Sequence, residues 1–405
     1  MERVCILEGL RSFNGVKDGM YKHVPAEKLG AEVLRELVKR CRLKGSEIDL
    51  VIGGNAVGGG GNITRLAVLE AGISETVPAV TVDLQCGSAL ESITMAAAMI
   101  ESGAAEVVVA GGFESSSTQP LRMWSSNHPD YVENKSYAVA KFIPGVQGEQ
   151  VMLEGAELTA LEGGVKKEEM DAWILRSHKR ASQAAEKGIL SDIIISVEGS
   201  RKDEGIRACM NQRLIDRLPF ILPEGKVITA ANACLMNDGA AFLVLCSEKY
   251  AGKAGIQPKA HFRKGVSVGG DPMKSPKTAV LAVEKLMRET GLNYRDMDAY
   301  EVNEAFSVID VLFHRRFPGV EDRYNIFGGA LAYGHPYGAS GAILLIHLIK
   351  ALERKGGRYG ICSVAAAGGI GSAVLIERRD EERGDECNGK ERKKGLSGTD
   401  QADSQ

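Results

Sequence analysis

Several things are missing from this chain of 405 residues, and each absence removes a class of function. Eight cysteines occur without any Cys-x-x-Cys spacing, so no metal ribbon is expected, and a disulfide scaffold is out of keeping with this length. No run of 18 apolar residues appears, so no membrane span is expected. Lys+Arg 50 against Asp+Glu 53 leaves a net charge of −3, without the basic surplus that a nucleic-acid partner asks for. The segment from Gly53 to Gly61 has no Lys-Ser/Thr after it, and neither it nor Gly368-Gly369-Ile370-Gly371 completes G-x-G-x-x-G. Phosphate-loop and dinucleotide fingerprints are therefore absent, and these glycines read as tight turns and close backbone approaches. The start Met1-Glu2-Arg3-Val4-Cys5 shows no signal-peptide pattern, and the end Ala-Asp-Ser-Gln no lipidation or peroxisomal signal. The expectation is a soluble cytoplasmic protein with free thiols.

What is present is a large apolar fraction, 44%, enough for a sizeable core, and a length that suits two or three domains. Glycine is abundant, 48 residues against a usual ~7%. Short apolar runs at 49–52, 79–83, 106–110, 241–246 and 371–376 alternate with helical stretches such as 26–41 and 89–101. Continuous apolar strands separated by helices predict a buried, mainly parallel sheet in an α/β fold. One unit, Gly87-Ser88-Ala89 followed by an apolar helix, a Gly103 stop and a strand into Gly111-Gly112, returns about 250 residues later. There Gly338-Ala339-Ser340-Gly341 opens an apolar helix, Gly356-Gly357 stops it, and a strand leads to Ala367-Gly368-Gly369. A duplicated α/β unit with two buried helices explains the echo. The stretch from about Ser115 to Gly225, with its prolines, two tryptophans and charged helix, breaks the rhythm and reads as an insertion. Residues 379–405 are dense in charge, with Leu396 the only large apolar side chain, and are expected to be disordered.

Three positions could carry chemistry. Cys86 follows a strand and directly precedes Gly87-Ser88 and a helix, where free N–H groups and the helix dipole favour thiolate. His335 stands in Gly334-His335-Pro336-Tyr337-Gly338, a loop rigid enough to hold the imidazole as base or oxyanion donor. Asn303, in Asn303-Glu304-Ala305-Phe306 at a strand end, could orient a water or donate to an oxygen. His347 lies inside the apolar helix and reads as a satisfied core histidine.

Together these segments resemble the thiolase superfamily, CoA-dependent enzymes that make or break a β-ketoacyl carbon–carbon bond. The resemblance covers nearly all of residues 1–378. It rests on Cys86-Gly87-Ser88, Ala110-Gly111-Gly112-Phe113-Glu114-Ser115, Asp203-Glu204-Gly205-Ile206-Arg207, Asn232-Ala233-Cys234 with Asn237-Asp238-Gly239, Asn303-Glu304-Ala305-Phe306 and Gly334-His335-Pro336. It implies a duplicated five-layered αβαβα fold with an inserted loop domain. The N-terminal half would comprise 1–115 and 226–250, the CoA-binding loop domain 116–225 and the C-terminal half 251–378. Cys86 would carry the acyl group as a thioester. His335 and a water on Asn303 would form one oxyanion hole, and the backbone N–H groups of Cys86 and Ala367 the other. Met152, Arg217, Cys234 and Phe306 are the implied substrate contacts. No metal and no permanently bound cofactor is implied; the partner is an acyl-CoA or an acyl carrier protein, in a homodimer or homotetramer serving lipid metabolism.

One departure from the family pattern outweighs the others. Thiolases keep a second cysteine before a glycine-rich loop to remove the α-proton of the second acyl-CoA, and here Ala365 takes its place. Cys362 lies three residues earlier, where a strand turns the side chain to the other face. The usual Cys-Gly-Ser-Gly reads Cys86-Gly87-Ser88-Ala89, and a His-Met-Gly reads Val151-Met152-Leu153. The Arg of a Leu-Arg-Pro element is missing, which leaves Arg217 as the candidate CoA contact. Three readings follow: a non-standard thiolase-like acyltransferase, a decarboxylative condensing enzyme of the ketosynthase kind, or a degenerate acyl-CoA-binding subunit.

Overall fold

A computed structural model describes residues 2–146 and 148–378 of the chain; the charged stretch 379–405 lies outside the described residues. Eleven strands form one sheet among them: β1 (Val4–Ser12), β2 (Gly15–Val16), β3 (Leu50–Gly54), β4 (Ala79–Val82), β5 (Val107–Ser115), β6 (Ile194–Ile195), β7 (Asn237–Ser247), β8 (Ala260–Gly269), β9 (Ala299–Val302), β10 (Tyr359–Ala366) and β11 (Ile370–Glu377). The order is β4-β3-β5-β7-β1-β8-β11-β10-β9, with β2 against β7 and β6 against β1. The pairs β3–β4, β3–β5 and β9–β10 are parallel, while β5–β7, β7–β1, β1–β8, β8–β11 and β11–β10 are antiparallel. The expected mainly parallel sheet is thus a mixed one. All nine residues of β5 and all eleven of β7 are buried, yet the two run in opposite directions. Helices covering both faces make a strand apolar throughout, whatever its direction.

Side-chain alternation along the strands builds the layers. In β1, Val4 and Ile6 point into a central core while Cys5 and Leu7 point into an outer one. The central core holds the two helices of the sequence echo, Ser88–Glu101 and Ser340–Lys355, packed against each other between the two halves. Helices Ala26–Arg40 and Ile63–Glu70 cover the outer face of the first half, and Thr278–Thr290 and Ser307–Arg316 that of the second. Five layers result, joined where β1 meets β8 at Val4↔Phe262, Cys5↔His261 and Ile6↔Ala260. Between β5 and β7 the chain runs through the helices Val151–Glu162 and Lys167–Glu186 and returns β6 to the edge of β1.

His347 is satisfied in the core. It accepts from Arg11 Nε at 3.0 Å, and Arg11 forks onto both oxygens of Asp203 at 2.8 and 3.0 Å. Beyond the end of β9, Asn303 meets His335, and beyond the end of β10, Ala367 meets Cys86.

Candidate active site

Cys86 is placed by a strained turn. Gln85, just before it, has φ +53°, a left-handed conformation that costs a non-glycine residue of order 1–3 kcal/mol. The turn is closed by Gln85 N–H donating to Asp83 Oδ1 at 2.8 Å and by Ser88 Oγ donating to Gln85 O at 2.6 Å. The helix Ser88–Glu101 begins immediately beyond, with Gly87 at its cap position. Cys86 is left half-buried at the helix entrance. The backbone N–H groups of Ala367 and of Cys86 itself are aimed at its sulfur. Ala367 reaches it from the tight β10–β11 connection, where Gly368 and Gly369 have φ of +80° and +75°.

The expected thiolate is not the resting form. Burial pushes the Cys86 thiol up to about 12, outweighing the two N–H groups that pull it down. Removal from water costs the anion more than the helix entrance returns. A base must therefore take the proton during attack.

His335 is fully buried, and burial lowers its imidazole to about 3, so it is neutral. Its Nδ1 lies 2.6 Å from Ser340 Oγ, and Ser340 donates its own proton to Pro336 O at 3.0 Å. The hydroxyl oxygen can then only accept, which places the imidazole proton on Nδ1. Nε2 keeps its lone pair and takes a long hydrogen bond from Asn303 Nδ2 at 3.3 Å. The His335 backbone N–H is shared between Asn237 Oδ1 and Leu235 O, both at 3.1 Å.

Asn303 leaves the end of β9 with its N–H on Ser363 O at 2.9 Å. Beside it Asn325 clasps Val302 through N–H···Oδ1 at 2.8 Å and Nδ2–H···O at 3.0 Å, and donates to Glu304 Oε1 at 2.8 Å. Ala365 is buried on β10 opposite Gly371 and faces the outer core of the second half with Phe306. Cys362 faces the central core on the other side of the same strand. Cys234, Met152 and Phe306 pack with the apolar group that holds Ala365. Arg217 does not join them: it is exposed beyond the short helix Gln212–Ile215, and no hydrogen bond or ion pair links it to Cys86, His335 or Asn303.

Glu114 is the residue that sequence reasoning left without a role. Its buried carboxyl accepts from Asn55 Nδ2 and Ala56 N–H at 2.9 Å, Gly338 N–H at 3.0 Å and Val57 N–H at 3.3 Å. It thereby ties the glycine-rich loop after β3 to the loop of His335. Burial raises it to about 7 against those N–H groups. Its signal was its place in Gly112-Phe113-Glu114-Ser115, but its partners are far away in the chain. The approach it organises requires glycine: a Cβ on Gly112 would lie 1.9 Å from Gly338 O.

Among the described residues no group of three or more His, Cys, Asp or Glu side chains could hold a metal ion, and no helix is long and apolar enough to cross a membrane. A thiol with two N–H groups at its sulfur and a neutral imidazole with an unprotonated Nε2 can perform acyl transfer.

Comparison with known proteins agrees with this arrangement. Residues 4–249 match the family described as "Thiolase, N-terminal domain", and residues 256–378 "Thiolase, C-terminal domain". The Staphylococcus aureus protein named "Putative acetyl-CoA C-acetyltransferase VraB" is 35% identical over 388 residues, covering 93% of this chain and 100% of that protein. Among solved structures, the Bacillus anthracis acetyl-CoA acetyltransferase superposes with a TM-score of 0.88 at 32% identity, covering 94% of this chain and 99% of that one. Human mitochondrial 3-ketoacyl-CoA thiolase, solved in complex with CoA, gives 0.86 at 28% identity over 94% and 98%. Two matched domains, a relative aligned over its whole length and a shared five-layer fold lead to one conclusion: the chain belongs to the thiolase family.

Proposed function

We propose that the protein is a thiolase-like acyltransferase that takes an acyl group from acyl-CoA onto Cys86 and acts on a β-ketoacyl carbon–carbon bond. The observation that carries this reading is the pair of N–H groups, of Ala367 and Cys86, at the Cys86 thiol, together with a neutral His335 whose unprotonated Nε2 meets Asn303. In the proposed reaction His335 Nε2 receives the Cys86 proton as sulfur attacks the thioester carbonyl. The two N–H groups receive the oxyanion, an interaction worth ~10²–10³-fold per donor. His335, now protonated, and Asn303 are the donors for the second carbonyl. Family membership and the names of the relatives support the acyl-CoA substrate. The CoA arm is assigned to residues 116–225, with Met152 and Arg217 as its contacts.

A second reading is favoured by Ala365. A buried methyl group cannot take an α-proton, and a decarboxylative condensing enzyme needs no such step because loss of CO₂ supplies the carbanion. Separate incubation with radiolabelled acetyl-CoA and malonyl-CoA distinguishes the readings. Label on Cys86 with cleavage of acetoacetyl-CoA is the expected result. Condensation with malonyl-CoA alone would favour the second reading, and no label on Cys86 would leave only an acyl-CoA-binding subunit.

A further inference from the structure

A base for the α-proton has to stand beside the acyl thioester, and position 365 offers none. The short segment from Ala233 to Met236 occupies that ground. On one side Ala233 bridges Phe306, and the Cys234 N–H donates to Ala305 O at 2.9 Å. On the other side Met236 bridges His335, and Leu235 O accepts from the His335 N–H at 3.1 Å. Cys234 is thus held between the Asn303 loop and the His335 loop. Its half-buried side chain packs with the apolar group that contains Ala365 and Phe306. Charge on Cys86 is felt at the Cys234 thiol, and Tyr337 senses both. Cys234 is thus a second thiol beside the His335 loop, carried by a segment with no part in the turn before Cys86.

We propose that Cys234 is the proton-transfer residue of the carbon–carbon step, supplying from another element the thiol absent at Ala365. The inference rests on the acyltransfer reading above. In the first half-reaction Cys86 sulfur bonds to the acyl carbon, its proton goes to His335 Nε2, and the carbon–sulfur bond to CoA breaks. His335 then gives that proton to the departing CoA thiolate, and Cys234 is still a thiol. In the second half-reaction His335 Nε2 takes the Cys234 proton, and the thiolate so formed removes an α-proton from a second acyl-CoA and is a thiol again. The carbanion attacks the Cys86 thioester, a carbon–carbon bond forms, and Cys86 leaves and recovers its proton from His335. Two acyl-CoA give one β-ketoacyl-CoA and one CoA, with each side chain restored. Burial, which pushes the Cys234 thiol well above the ordinary range, makes its thiolate a stronger base once formed.

The test measures two things on the full-length protein, its C234A and C234S variants, and the double variant C234A/A365C. One is the end point of Cys86 labelling by radiolabelled acetyl-CoA. The other is methyl-proton exchange into D₂O of acetyl-carba-CoA, a ketone with a methylene in place of the thioester sulfur, which cannot acylate a thiol. The expected result is exchange that falls ~10²–10⁴-fold in both single variants, the usual worth of a general base. Cys86 labelling still reaches its end point in them, and the double variant regains at least tenfold in exchange. C234S preserves shape, so the result stands if C234A does not fold. Exchange at an unchanged rate in C234S, or no exchange in the unmodified protein, would overturn the proposal. Failure of Cys86 labelling in the unmodified protein with Cys234-dependent exchange intact would instead sink the acyltransfer reading alone.

Discussion

Ser340 Oγ sits 2.6 Å from His335 Nδ1 and hands its own proton to Pro336 O, so one serine decides which nitrogen of the histidine is free. S340A removes that preference, and part of the population becomes the Nε2–H tautomer, which cannot accept the Cys86 proton. Alkylation of Cys86 by iodoacetamide at pH 7 should slow about tenfold, equivalent to ~1.4 kcal/mol and the size of one internal hydrogen bond. S340T should recover most of the rate. An unchanged rate in S340A would show that the tautomer is set elsewhere.

Glu114 links pH to stability. Its folded-state value of about 7 exceeds the ordinary 4.5, so the folded protein holds a proton that the unfolded chain has lost between those values. The contribution is fully present below 4.5 and is lost as pH rises through about 7. Thermal unfolding followed from pH 5 to pH 8 should show a falling midpoint, with a shallower fall in E114Q. Parallel curves would mean that Glu114 does not titrate in this window.

Two glycines should behave as opposites. G112A drives a methyl group to 1.9 Å from Gly338 O and 2.7 Å from Gly54 O, both backbone atoms that cannot step aside. A loss above ~4 kcal/mol, or no soluble fold, is expected. G59A meets nothing within 4 Å and should stay within ~0.5 kcal/mol of the parent. Chemical denaturation of both variants checks the pair.

Ala365→Cys should raise cleavage of acetoacetyl-CoA, because it puts a thiol on the face of β10 that shares a core with Phe306. Cys362→Ser should leave Cys86 labelling unchanged, since that side chain is fully buried on the face of β10 away from Ala365. No gain from A365C would place the divergence of the pocket at other positions.

Cys86, His335 and Asn303 stood out as candidates because glycine, proline and a strand–helix junction surround them locally, and such signals survive in one dimension. Ser340 stood in the same loop, but its role depends on how the chain curls back over five residues. Glu114 was invisible for a different reason: its partners at 55–57 and 338 are joined only by the fold. Strand direction could not be read at all, since a strand covered on both faces looks the same either way. The charge state of Cys86 was misjudged because a helix entrance shows in sequence while the depth of burial does not.

The place of β1 has a consequence for synthesis. Val4 pairs with Ser247 on one side and Phe262 on the other, so β1 leaves the ribosome well before either of its two long neighbours is made. At ~5–20 residues per second that is a wait of roughly ten to fifty seconds, with only the two residues of β6 to pair with in the meantime. The parallel trio β3, β4 and β5 can assemble meanwhile from nearby chain. β1 then joins the two halves by pairing with β7 and β8 together.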